Sequence, residues 1–213
     1  MIHQVRRRTV VLALAAAALA ACGRKARLAA VPSGAVVLAL GDSITFGTGT
    51  TPEASYPSVL AGLSGWKVVN AGVPGDTSGG ALQRLPALLA EHRPQLVLVS
   101  IGGNDFLRRM SEADTRENIR AICRQIKAAG AQAVLVAVPQ ASALAAVARS
   151  LSDHPMYAEL AKELAVPLHA DGWADVLSDP ALRSDPIHAN AEGYAKFAEG
   201  LARTLKESGL LSG

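Results

Sequence analysis

From Val36 onward, short apolar runs alternate with longer stretches in which apolar positions recur every three or four residues. Val36 to Leu40, Lys67 to Asn70, Leu96 to Ser100, Ala133 to Val138 and Val166 to His169 have the length and β-branched content of buried strands. The stretches Tyr56 to Leu63, Thr77 to His92, Asp114 to Ala129, Ser142 to Leu164 and Ala189 to Lys206 predict helices. Strand and helix alternating in this way predict an α/β domain with a parallel sheet covered on both faces. Pro94 before the third strand and Gly130 after the third long helix punctuate the boundaries, and Pro167 marks the fifth strand as an edge. Without a linker or internal repeat, residues 35–213 read as one domain. In open α/β sheets ligands bind beyond the carboxyl ends of the strands, so the residues just after each strand are where chemistry is expected.

The N-terminus follows a different pattern. Arg6, Arg7 and Arg8 precede an uncharged run rich in alanine and leucine from Thr9 to Ala21, the layout of an export signal too short to span a bilayer comfortably. These arginines account for three of the 21 basic residues in the 213-residue chain and for its net charge of +3, leaving 18 basic against 18 acidic side chains. A neutral body with 4% aromatic residues argues against nucleic-acid binding, which needs clustered cations and exposed rings. Two cysteines exclude a disulfide framework or a multi-cysteine zinc site. Cys123 shares a helical face with Ile119, Ile122 and Ile126 and reads as a packed core thiol. Cys22 ends the segment Leu19-Ala20-Ala21-Cys22, which resembles a bacterial lipobox. The resemblance implies cleavage after residue 21, lipid on Cys22 and, with Gly23 next, passage to the outer membrane. Residues 22–34 would then be a lipidated cysteine and tether, and the protein would be periplasmic and membrane-anchored.

Three loops after the predicted strands and one directly before the last predicted helix carry polar groups that complement one another: Gly41-Asp42-Ser43-Ile44-Thr45, Asn70 to Thr77, Gly102-Gly103-Asn104-Asp105 and, before the helix, Asp185-Pro186-Ile187-His188. Ser43 is a candidate nucleophile that needs a base within hydrogen-bond reach. His188 is the best candidate among five histidines, because Asp185 stands three residues earlier in a proline turn and can bond one ring nitrogen while the other faces Ser43. Gly75, placed just before a predicted helix, and Asn104, freed by two glycines, would join the Ser43 N–H as oxyanion donors; Gly72 is the alternative to Gly75. Taken singly, each fragment also has a structural reading: Ser43 and Asp185 as helix caps, Asn104 as part of a turn. Phe106, Leu107, Met110 and Pro139 follow the third and fourth strands and suit an acyl chain, or merely cover the sheet end.

In order and position these blocks resemble the SGNH, or GDSL, hydrolases, with Ser43, Gly75, Asn104 and His188 as the name-giving residues and Asp185 as third member of the triad. Asn70 to Leu89 and the Gly-Gly-Asn-Asp segment are most similar to bacterial arylesterases and to multifunctional thioesterase and lysophospholipase enzymes. The resemblance implies a flavodoxin-like three-layer α/β/α fold with a five-stranded sheet in the order 2-1-3-4-5. It also implies no metal or organic cofactor and hydrolysis of a small-molecule acyl ester or thioester through an acyl-enzyme on Ser43; separately, the chain is expected to be a monomer. Two other readings stand beside it: a carbohydrate or peptidoglycan O-acetylesterase, and a non-catalytic binding lipoprotein that kept the fold.

Overall fold

A computed structural model describes residues 28–140 and 151–212. In chain order these form β1 (Val36–Gly41), α1 (Ser43–Phe46), α2 (Tyr56–Ser64), β2 (Lys67–Gly72), α3 (Ser78–His92), β3 (Leu96–Ser100), α4 (Gly103–Leu107) and α5 (Glu112–Ala128). The rest is β4 (Gln132–Val136), α6 (Met156–Leu164), β5 (Leu168–His169), α7 (Gly172–Ser178) and α8 (Ala191–Glu207), with short 3₁₀ turns at Pro52–Ala54 and Pro180–Leu182. All strand pairs are parallel and the sheet order is β2-β1-β3-β4-β5, as expected. Helix α8 packs between α2 and α7, while α5 packs between α3 and α6, which gives the sheet a helical layer on each face. Central strand β3 is buried along its whole length, the condition under which a strand reads as an unbroken apolar run rather than an alternating one.

The long helices follow their apolar stripes. On α5, Thr115, Ile119, Ile122, Cys123 and Ile126 face the core, Ser111 caps the first turn, and burial pushes the Cys123 thiol up to about 12, leaving it a core group. Two expectations change. The stretch Ser142 to Leu164 is not one helix: α6 begins at Met156 after Pro155, and residues 152–154 pair back on the fourth strand's exit instead, through Gln140 N–H to the Ser152 carbonyl and His154 N–H to the Val138 carbonyl. The part of that stretch within residues 142–150 lies outside the described residues. Strand β5 has only two residues, since α6 ends in the left-handed Ala165 and Pro167 has no N–H for a ladder.

Residues 28–34, expected as tether, lie against the domain at the amino ends of the strands. Val31 is buried, its N–H donates to the Leu210 carbonyl, Trp66 Nε1 donates to the Val31 carbonyl, and Gln132 brackets the Ala29 peptide from both sides. The signal and Cys22 lie outside the described residues.

Candidate active site

The functional loops leave the opposite, carboxyl end of the sheet. Immediately after β1 the chain turns into α1 so tightly that a Cβ on Gly41 would stand 2.0 Å from Thr45 Oγ1 and 2.5 Å from the Ser100 carbonyl. Only glycine fits that crossing. Asp42 caps α1 by accepting the Ile44 N–H at 3.1 Å, which leaves Ser43 as the first residue of the helix, where backbone N–H groups have no intrahelical acceptor.

Ser43 Oγ donates to His188 Nε2 at 2.9 Å, and His188 Nδ1 donates to Asp185 Oδ2 at 2.7 Å. The other Asp185 oxygen accepts the backbone N–H groups of Ile187 and His188 at 2.8 and 2.9 Å, so one carboxylate both builds the turn and orients the ring. Burial raises the Asp185 pKa, but the hydrogen bonds from His188 and from the Ile187 backbone outweigh it and hold the group below the usual range. The alternative of Asp185 as cap of the last helix is excluded, because Asn190 caps α8 through the Gly193 N–H.

Asn104 sits in the first turn of α4, reached through Gly102 at φ +120, and its Nδ2 donates to Asp42 Oδ2 at 3.3 Å. Asp42 therefore ties the Ser43 turn to the asparagine loop. Its burial pushes the carboxyl up to about 6, opposed by the Ile44 N–H and the Asn104 amide. Next in sequence, buried Asp105 accepts the Ser78 N–H and Oγ at the start of α3 and the Thr115 Oγ1 of α5, locking three elements around the same loop.

The second block needs a correction. Gly75 does not directly precede a helix: α3 starts at Ser78 behind the cap Thr77, and Gly75 lies in a turn closed by the Asp76 N–H to the Val73 carbonyl. With Pro74 before it and φ +78, Gly75 occupies the position of a type II turn that demands glycine, so no helix dipole acts through its N–H. It is still the better donor of the two glycines. The Gly72 N–H is engaged by Asn70 Oδ1 at 3.0 Å, and a Cβ on Gly72 would meet the Phe46 nitrogen at 2.1 Å, so Gly72 is a packing residue. The Gly75 N–H has no acceptor among the described residues, and Arg108 holds the following peptide of the turn by donating to the Gly75 carbonyl at 2.8 Å.

Arg84 is a residue the sequence reading did not single out for a role. It reaches from α3 to Asp76 and to the carbonyls of Ala71 and Gly41, which staples the second loop to the ends of β1 and β2.

Ser43 and Asn104 open into a pocket of about 400 Å³. Phe106, Leu107 and Pro139 line it, joined by Ile44, Leu151, Leu177 and Ile187. Met110 does not: the left-handed Arg109 after α4 turns the chain away, and Met110 is exposed outside the lining.

Residues 39–196 match the GDSL-like lipase/acylhydrolase family. The chain is 37% identical over 175 residues to the thioesterase 1/protease 1/lysophospholipase L1 of Escherichia coli (strain K12), covering 80% of this chain and 83% of that protein. It is 32% identical over 177 residues to an arylesterase of Vibrio mimicus, covering 79% and 87%. The crystal structure of TesA superimposes with a TM-score of 0.71 at 30% identity, covering 81% of this chain and 99% of that one. By its matched family, its relatives and its fold, the chain belongs to the GDSL-like lipase/acylhydrolase (SGNH) family and is an ester hydrolase.

Proposed function

We propose that the protein hydrolyses esters or thioesters of short to medium acyl chains through an acyl-enzyme on Ser43. The observation that carries this is the continuous Ser43–His188–Asp185 hydrogen-bond chain, at 2.9 and 2.7 Å, opening into an apolar-walled pocket. Ser43 Oγ attacks the acyl carbonyl carbon as its proton passes to His188 Nε2. The resulting oxyanion is held by the Ser43 and Gly75 N–H groups and the Asn104 amide. Collapse breaks the bond to the leaving oxygen or sulfur, which takes the proton from His188. Water then attacks the acyl carbon, giving a proton to His188, and the second collapse releases the carboxylic acid and returns Ser43 to its hydroxyl form. Asp185 stays ionised throughout and keeps the imidazole in the tautomer with its proton on Nδ1.

The apolar lining weighs toward an acyl chain longer than acetyl and against the O-acetylesterase reading. Each methylene buried against such a wall contributes about 0.8 kcal/mol. Across a series of p-nitrophenyl esters, kcat/KM should therefore rise on the order of 100-fold from acetate to hexanoate, which is four methylenes longer. A profile that falls from acetate onward would overturn the acyl pocket and favour the O-acetyl substrate.

We further propose that the protein is exported and anchored by lipid on Cys22, supported by the arginine cluster, the apolar run and the lipobox-like Leu19 to Cys22. No helix among the described residues is long and apolar enough to cross a membrane. The chain joins the domain at the amino ends of the strands, so an anchor there would hold the pocket mouth away from the membrane that carries it. Metabolic labelling with palmitate should mark the wild type and not Cys22→Ala; equal labelling of both would sink the anchor.

A further inference from the structure

The pocket wall contains an aromatic pair joined across two segments far apart in sequence. Phe106, at the end of α4, lines the pocket; His154, just before α6, does not, but its ring stacks on Phe106 with centroids 4.4 Å apart and planes 10° from parallel. His154 is itself held by its backbone. Its N–H donates to the Val138 carbonyl at 3.1 Å, its Nδ1 accepts the Met156 N–H at 3.3 Å, and its Nε2 lies 3.8 Å from Glu112. Val138 and Pro139 also line the pocket, and Pro139 pairs with Asp153, the residue before the histidine. The stack thus couples the wall that follows β3 to the wall that follows β4. Leu107, next to Phe106 and without such a partner ring, is about half exposed at the rim. Burial pushes the His154 pKa down, opposed by Glu112 and Glu159 and aided by Arg116, which favours the neutral ring that stacks without bringing a charge to the wall.

We propose that His154 is a positioning residue for acyl-chain selectivity: by holding Phe106 flat against its ring, it keeps a rigid apolar surface where the distal methylenes of the acyl group lie. This rests on the reading that the pocket takes the acyl chain. It assigns His154 no part in the chemistry at Ser43, because the ring lies behind Phe106 rather than in the lining and bonds to no member of the triad.

The test is the p-nitrophenyl ester series on five proteins: wild type, His154→Ala, His154→Phe, Phe106→Ala and the double variant carrying His154→Ala and Phe106→Ala. An aromatic pair contributes about 0.5 to 1.5 kcal/mol beyond its buried area, which corresponds to roughly a threefold to tenfold change. His154→Ala should raise KM for octanoate by that factor while kcat for octanoate and both constants for acetate stay put. His154→Phe, which keeps a flat ring, should restore the wild-type octanoate KM. In the double variant, Phe106→Ala should mask the effect of His154→Ala, since the second residue acts only through the first. An unchanged octanoate KM in His154→Ala, or equal losses on acetate and octanoate, would overturn the proposal. A wild-type enzyme whose KM is indifferent to chain length would overturn the acyl pocket itself and this inference with it, so the two failures are told apart by the wild-type profile.

Discussion

Ser43→Ala should lower ester turnover by about 10⁴-fold or more while leaving the fold and its thermal midpoint unchanged. The size follows from the non-additive behaviour of triads: once the nucleophile is gone, His188 and Asp185 have nothing to activate, and only binding and oxyanion stabilisation assist direct attack by water. The retained stability follows from the local structure. The Ser43 hydroxyl bonds to His188 Nε2, whereas the cap of α1 is made by Asp42 and the crossing beneath it depends on Gly41. Removing one partly buried oxygen therefore leaves the turn intact. A fluorophosphonate probe should add its phosphonyl group to the peptide containing Ser43 in the wild type and to nothing in the variant, with unchanged melting by circular dichroism. Turnover within tenfold of wild type, from protein that melts normally, would remove Ser43 as the nucleophile.

How much of this site was legible in the sequence depended on whether a residue's role is local. Strand runs such as Leu96 to Ser100 are unbroken because both faces of the sheet are covered, and that fixes where each strand must release its polar residues. Ser43 and Asn104 can be picked out for that reason, and His188 and Asp185 because they share a tight proline turn. Roles that depend on tertiary approach left no such trace. The capping reading offered for Ser43 belongs to Asp42, whose first oxygen caps α1 while its second serves Asn104 from 62 residues away. Asp105 looked like half of an Asn-Asp turn and proved to be the anchor of α3. The short helices α1, α4 and α7 are too brief to show a period, and the pairing of residues 152–154 with Val138 and Gln140 rests on backbone hydrogen bonds that side-chain patterning does not encode. Gly75 shows the converse: the sequence places it just before a helix, whereas in the structure its distinction is a turn with positive φ and an N–H without an acceptor among the described residues.

The connection between Asp42 and Asn104 bears directly on Asn104→Ala, for which kcat should fall on the order of 100- to 1,000-fold with KM little changed. An amide nitrogen carries two hydrogens. One is committed to Asp42 Oδ2 at 3.3 Å, and that bond fixes the plane of the amide, so the second hydrogen points in a set direction before any substrate arrives. Donors that need no reorganisation are the ones that stabilise a transition-state charge most, and they act on the oxyanion rather than on the ground-state carbonyl, which is why the loss should fall on kcat. The same bond predicts a second effect. Deleting the amide leaves Asp42, 3% exposed, with a buried carboxylate oxygen short of a donor, a change that typically costs about 1 to 3 kcal/mol. The Asp42 pKa should then rise beyond about 6, because the Asn104 hydrogen bond is one of the influences that lower it. Stability and catalysis can be separated by measuring kcat at a temperature well below the melting point of the variant, where the folded fraction is complete. A kcat that stays within threefold of wild type under those conditions would leave Asn104 as a partner of Asp42 and nothing more, and would shift the burden of oxyanion stabilisation onto the Ser43 and Gly75 N–H groups.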